Sequence, residues 1–353
     1  MSPFIITGIQ QIGIGVSDVV LAFDFYRTHL GFDIRIFDEA AEAHLMRPYT
    51  GGQSHHRRAI LALNLNGGGG LELWQYTSRT PQPPSFSPQM GDLGIFMAKI
   101  KTFNIRQTYH NLQQKNIFVT PVFQHPCGFQ HFYMQDPFGN WLEIMEATDF
   151  FEKKNVPNGG ICGAVIGVRD IEKSTAFYKD ILGFDQILFT SENGTYEDMF
   201  VFGRDKMYKR HLLTRSKQET AGFANLFGQP YIELIEWTNG TPRKIFENRY
   251  WGDLGFIHIC LDVRNMEALK NHCQNHKIPF TVDSGPHFSM GDAVGHFAYI
   301  EDPDGTLIEF VETKKVPILK KFNWFFKFSK EKMYQPVPKW MIKAFRFHRV
   351  RST

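Results

Sequence analysis

Four glutamates stand between apolar residues in strand-like runs: Leu71-Glu72-Leu73, Leu142-Glu143-Ile144, Ile232-Glu233-Leu234 and Ile308-Glu309-Phe310. A carboxylate buried in an apolar strand loses several kcal/mol of hydration, even after relaxation, unless a cation or a set of donors receives it. A fourfold occurrence argues for one purpose. The economical reading is a repeated structural unit whose last strand delivers a carboxylate to a metal.

Other motifs repeat between the two halves of the chain. Val16-Ser17-Asp18, Phe25-Tyr26 and Leu30-Gly31-Phe32 return as Val168-Arg169-Asp170, Phe177-Tyr178 and Leu182-Gly183-Phe184. Gly91-Asp92-Leu93-Gly94 returns as Gly252-Asp253-Leu254-Gly255, and Asp136-Pro137-Phe138-Gly139 as Asp302-Pro303-Asp304-Gly305. Each Asp-Pro turn reaches its glutamate six residues after the proline.

The elements that must carry these residues follow from patterning. Each half opens on an apolar strand, then an Asp-capped segment of helical period that stops at Leu-Gly-Phe, where glycine suits the left-handed helix end. Strand-like runs follow, such as Ile60 to Leu65 and Leu71 to Tyr76. A second unit has helix candidates at Thr102 to Lys115 and Asn265 to His276. The pattern is βαβββ written four times, near 5–78, 92–147, 160–238 and 253–313, with Glu152 to Gly160 as the linker between halves.

Length and composition bound the rest. With 353 residues, 42% of them hydrophobic, the chain can build two full cores. The net charge of +3 is uneven: residues 314–353 carry +11, which leaves about −8 elsewhere and does not suggest a nucleic-acid groove. Cys127, Cys162, Cys260 and Cys273 show no CxxC spacing, which fits a reducing, cytoplasmic setting. No secretion signal or membrane-spanning run is expected. The tail sets Phe322, Trp324, Phe325, Phe326, Phe328, Trp340, Phe345 and Phe347 among its bases. Such a segment either packs its rings on the parent fold or touches an anionic membrane surface, possible at the inner face of a membrane.

The combined motifs over residues 1–313 resemble the vicinal oxygen chelate superfamily, which includes glyoxalase I, extradiol dioxygenases and methylmalonyl-CoA epimerase. The resemblance implies an α+β fold in which four βαβββ units pair into two curved mixed sheets. Glyoxalase-like domains would span 1–148 and 159–313, with the tail at 314–353. It also implies one divalent metal (Zn, Ni, Co, Mn or Fe(II), with zinc preferred), held by one ligand from a unit's first strand and one glutamate from its last. The first-strand slots are Gln11, Met97, Gly163 and His258. Methionine sulfur is too soft for a hard site and glycine offers no donor, so the second and third units look disabled.

Two pairings remain open at this level. If unit one pairs with unit four, the resemblance implies a metal set of Gln11, Glu72, His258 and Glu309, with Glu72 and Glu309 as the catalytic pair; this is the preferred arrangement. Sequential pairing would give Glu233, His258 and Glu309 instead. The first set fits a glyoxalase-like lyase or isomerase acting on an oxygen-bearing small molecule by glutamate-mediated proton transfer. The alternatives are an extradiol-type dioxygenase, against which the single first-strand histidine counts, and a non-catalytic binder of the resistance type. Glyoxalase I holds glutathione with an arginine and an asparagine whose slots here are Gly15 and Tyr76, so the resemblance argues against that cosubstrate. Trp74 and Tyr76 share a strand face with Glu72 and suit a pocket wall. The run His55-His56-Arg57-Arg58 reads as a solvated loop, with contact to an anionic substrate group as the alternative, and Gly67 to Gly70 as a hairpin turn.

Overall fold

The computed structural model describes residues 3–154, 156–290, 293–319, 324–328 and 332–350. Unit one comprises β1 (Ile5–Gly15), α1 (Val19–Leu30), β2 (Ile34–Glu42), β3 (His56–Leu63) and β4 (Gly70–Tyr76). Unit two comprises β5 (Gly94–Thr102), α2 (Ile105–Gln114), β6 (Phe123–Gln124), β7 (Gln130–Gln135) and β8 (Trp141–Glu146). Unit three comprises β9 (Asn158–Gly167), α3 (Ile171–Asp180), β10 (Gln186–Gly194), β11 (Tyr208–Thr214), the short α4 (Ala224–Phe227) and β12 (Tyr231–Trp237). Unit four comprises β13 (Gly255–Arg264), α5 (Met266–Asn275), β14 (Val282–Asp283), β15 (Phe288–Met290), β16 (Ala293–Glu301) and β17 (Leu307–Leu319). The tail adds β18 (Trp324–Lys327) and α6 (Lys339–Ala344).

Local sequence explains the helix limits. The Asp18 carboxylate accepts from the Val20 and Leu21 amides, and that of Asp170 from Lys173. Gly31 (φ 78°) ends α1 in the left-handed region where glycine is unstrained.

The strands form two curved mixed sheets. One runs β14-β16-β17-β13-β1-β4-β3-β2, with β15 on β16 and β18 on β17; the other runs β10-β11-β12-β9-β5-β8-β7-β6. Unit one therefore pairs with unit four, and unit two with unit three. Sequential pairing, with its Glu233, His258 and Glu309 set, is not the arrangement found: Glu233 lies on β12 of the second sheet. The halves 1–148 and 159–313 each give one unit to each sheet.

Alternation sorts the strand residues. Leu71 and Leu73 of β4, Ile308 and Phe310 of β17, and Ile259 and Leu261 of β13 enter the main core beneath the helices. That leaves Glu72, Glu309 and His258 for the concave face.

The repeated Phe-Tyr and Asp-Pro motifs prove to be one device. The Tyr26 hydroxyl donates to Asp136 at 2.6 Å, and Tyr178 to Asp302 at 3.1 Å, all four buried. Each bond ties the helix of one sheet to a turn of the other. Asp136 and Asp302 in turn accept backbone amides two and four residues ahead, which fixes the turns that aim Glu143 and Glu309.

The tail packs on the first sheet through Val337, Ile342 and Phe345, while Trp340 and Phe347 stay exposed. Phe345 and Phe328 contact Phe223. Phe322 lies outside the described residues. No helix among them is long and apolar enough to cross a membrane.

Candidate metal centre and its altered twin

The first sheet brings Glu72, His258 and Glu309 together, each offering a donor atom within 4.8 Å of the others. The strand order puts Glu309 and Glu72 on either side of the central β13–β1 pair. His258 Nε2 lies 3.1 Å from Glu309 Oε2 and 3.4 Å from Glu72 Oε2. Gln11, also buried, donates from Nε2 to Glu72 Oε2 at 3.1 Å, which leaves its Oε1 as a fourth donor, the third of oxygen.

The fit to a cation rests on the donor set, one imidazole and two carboxylates converging on one face. His258 Nε2 and Glu309 Oε2 are buried, yet neither makes a properly oriented hydrogen bond among the described residues, despite their 3.1 Å approach. One nitrogen and oxygen donors also suit a divalent ion of the zinc type. Without a cation, burial pushes the His258 imidazole down, but the charge of Glu309 and then Glu72 outweighs it and raises the group to about 9. The Tyr299 hydroxyl sits 3.3 Å from Nδ1 and Trp251 stacks on the ring, which orients it.

Space for the ring comes from a glycine. Gly13 pairs with His258 across β1 and β13, and a Cβ at Gly13 would stand 2.4 Å from His258 Cε1. The second sheet reverses this relation, because there Lys99 pairs with Gly163 across β5 and β9. Lysine occupies the position of Gly13, and glycine that of His258.

The consequence is a different centre. The Lys99 ammonium bridges Glu143 and Glu233, and Arg210 binds Glu233 and, at 2.7 Å, Asp198. His131 spans Glu143 at 3.0 Å and Asp198 at 3.3 Å. Burial opposes every one of these charges, but the partners prevail: Lys99 and Arg210 are raised, and Glu143 is lowered to about 2, chiefly by Lys99. His131 is raised as well, Asp198 and Glu143 outweighing the burial that lowers it. Glu143 and Glu233 are thus partnered by cationic side chains. The signal was available in the alignment of Gln11-Ile12-Gly13 with Met97-Ala98-Lys99.

Two cavities border the first centre, and both are lined in part by Glu72 and Glu309. The larger, about 140 Å³, is walled by Phe37, Leu61, Leu63, Phe223, Phe227 and Phe345, and no lysine or arginine among the described residues lines it. The smaller, about 50 Å³, includes Arg57, Trp74, Trp251 and Tyr299. Arg57 corrects the solvated-loop reading: it lies on β3, 3% exposed, while only its neighbours His56 and Arg58 remain wetter. Trp74 lines the site as expected, whereas the Tyr76 hydroxyl is taken by the Trp251 carbonyl.

Comparison with known proteins gives a consistent picture. The profile of the Glyoxalase/Bleomycin resistance protein/Dioxygenase superfamily matches residues 8–144 and 161–310. A lactoylglutathione lyase of Pseudomonas putida is 27% identical over 154 residues, 42% of this chain and 82% of that protein. One from Schizosaccharomyces pombe is 24% identical over 182 residues, 51% of this chain and 53% of that protein. Among solved structures, glyoxalase I from Zea mays aligns with a TM-score of 0.51 at 14% identity, covering 86% of this chain and 92% of the maize chain. A candidate dioxygenase from Bacillus subtilis aligns at 0.57 and 16% identity, covering 87% and 85%. At such identities these structures speak for the fold alone.

Proposed function

The chain belongs to the Glyoxalase/Bleomycin resistance protein/Dioxygenase superfamily, and from that premise we propose that it is a glyoxalase-type lyase or isomerase using one divalent metal. The observation that carries this reading is the convergence of Glu72, His258 and Glu309 with Gln11 on one concave face. These four would hold the ion, zinc by preference, with Ni, Co, Mn and Fe(II) compatible with the same donors. The ion supplies Lewis acidity to two neighbouring oxygens of the substrate.

The chain's own groups then move the proton. One glutamate, as carboxylate, would take the proton from the carbon beside a polarised carbonyl, and the glutamate on the far side of the central strand pair, already protonated, would give its proton to the adjacent carbon, solvent exchange then restoring the pair. One C–H bond breaks and one forms while the hydroxyl proton passes to the former carbonyl oxygen, so the hydroxyl and carbonyl of a 2-hydroxycarbonyl compound change places and no oxidant is required. Dioxygenase chemistry in this superfamily calls for a second histidine, and the ligand triad contains one.

The relatives' name suggests a glutathione adduct as substrate. The local structure opposes carrying that over, because a Cβ at Gly15 would lie 1.9 Å from the Asp253 carbonyl oxygen, so an arginine cannot replace it without moving the backbone. The test is elemental analysis of wild type, His258→Ala and Gln11→Ala after reconstitution. About one metal per chain, lost in the first variant and weakened in the second, is expected. A wild-type protein that takes up none of the five metals would sink the enzyme reading and leave a small-molecule binder.

A further inference from the structure

A cavity of about 160 Å³, lined by none of the proposed metal ligands, lies where the end of α1, the linker between the halves and the C-terminal segment meet. Five basic side chains line it, Arg27, Lys154, Lys343, Arg346 and Arg349, against two acidic ones, Asp33 and Glu152. Both acids are already engaged, Asp33 with Arg349 at 3.0 Å and Glu152 with Lys154 at 2.5 Å. A third carboxylate, Asp24, reaches Arg27 at 2.5 Å from outside the lining. Five cations less three carboxylates leave two positive charges. The excess falls on Lys343 and Arg346, which have no carboxylate partner among the described residues.

Like charges gathered in one concavity repel, and they are screened less there than on an open face. The surroundings nevertheless hold them together. Asn66 Nδ2 donates to the Lys154 and Val156 carbonyls and its Oδ1 accepts from the Lys154 amide, which fixes the linker side. Ile342 and Phe345 are buried, which fixes the turn that carries Lys343 and Arg346, and the Val350 amide donates to the Asp33 carbonyl at 2.9 Å. An anion relieves the repulsion. An excess of two charges matches a phosphate monoester, which carries about −1.5 to −2 at pH 7, and guanidinium forks suit its oxygens.

We infer that this cavity is a binding site for a phosphate-bearing ligand, with Lys343 and Arg346 supplying the uncompensated charge. The site is separate from the metal centre and stands whether or not that centre holds an ion. Trp340 and Phe347, 58% and 62% exposed, flank the two bases in sequence. The phosphate therefore has two sources, a soluble phosphorylated molecule or a lipid headgroup whose bilayer surface receives the two rings.

Inorganic phosphate, titrated calorimetrically into the full chain at fixed ionic strength, should show saturable binding. The double variant Lys343→Gln/Arg346→Gln should weaken it by about tenfold or more, because hydrogen bonds between charged groups are the strong ones. Lys173→Gln/Lys179→Gln, an equal loss of charge on exposed positions of α3, should leave it unchanged. His258→Ala should bind phosphate as wild type does. Melting curves without phosphate check folding, and the loss of two mutually repelling charges should not lower them; if the double variant fails to fold, Lys343→Gln alone decides, with a several-fold loss expected. Three results would each overturn the site: no phosphate binding by wild type, undiminished binding in the Lys343 and Arg346 variant, or loss in His258→Ala, which would put the anion at the metal centre. Co-sedimentation with phosphatidylcholine vesicles, with and without phosphatidic acid, separates the two sources. Retention that requires phosphatidic acid and is lost both in the base variant and in Trp340→Ser/Phe347→Ser identifies a lipid headgroup. Phosphate binding without such retention identifies a soluble phosphorylated molecule.

Discussion

Lys99→Met removes the ammonium that stands between Glu143 and Glu233 while preserving much of the side-chain volume. Both carboxylates are almost completely buried, and Lys99 is their shared partner, with Arg210, His125 and His131 on the remaining oxygens. Breaking a buried pair from one side costs about 3–5 kcal/mol, because a charge is left without its partner in a poorly solvated place. At about 2–4 °C per kcal/mol the melting temperature should fall by roughly 6–20 °C. The pH dependence has a definite sign. Glu143 is held down at about 2, so this stabilisation is complete above the ordinary carboxylate value and is lost as pH falls through about 2. The gap between wild type and variant should therefore be full at pH 7 and narrow in acid. Thermal denaturation across pH, with metal content determined in parallel, provides the assay. Metal per chain should not change, since the first sheet is untouched. A loss below about 2 °C at pH 7 would refute the idea that lysine serves here in place of a metal.

Three further outcomes are expected. In the metal-free protein His258 is raised to about 9, so the stability from its ion cluster is full below the ordinary histidine value near 6.5 and is lost as pH rises through about 9. A metal must displace that proton, so zinc affinity in a chelator competition should climb by about tenfold per pH unit over this window; a flat profile would oppose the site. Tyr26→Phe removes one of several hydrogen bonds to the buried Asp136 carboxylate and should cost about 1–3 kcal/mol in urea denaturation, with zinc content intact. Gly15→Ala drives a methyl against the Asp253 carbonyl and should destabilise by about 1–3 kcal/mol or more, again by denaturation; a neutral result would mean the Asp253 turn yields freely.

The fold was legible because repetition multiplies weak signals. One buried glutamate in a strand means little, but four, two of them behind the same Asp-Pro turn and two in units with the same Leu-Gly-Phe helix stop, define a repeat. The preference for pairing units one and four was readable too, since it gathers Gln11 and His258 beside two glutamates, and the sheet order agrees. What escaped depended on register. Lys99 looks like any strand lysine until it is seen opposite Gly163, and Gly13 looks idle until it is seen opposite His258. Arg57 was hidden in a run of four polar residues, where only β-strand alternation separates the buried member from its exposed neighbours. Trp251 sits in a connection between sheets, and no periodicity foretells which ring such a segment lays over a distant strand.

The exchange of units also sets an order of events during synthesis. The chain enters the first sheet, crosses to the second for units two and three, and returns for unit four. Once Trp237 has emerged, the lysine-centred sheet has all its strands, whereas Gln11 and Glu72 still wait for His258 and Glu309. Chains that fold as they are made complete their earlier units first. The sheet that needs no metal is thus ready as a scaffold while the other is half built, and the metal centre is assembled by the last strands to arrive. A chain truncated before β17 would keep every strand of the lysine-centred sheet and lack Glu309, one of the proposed metal ligands.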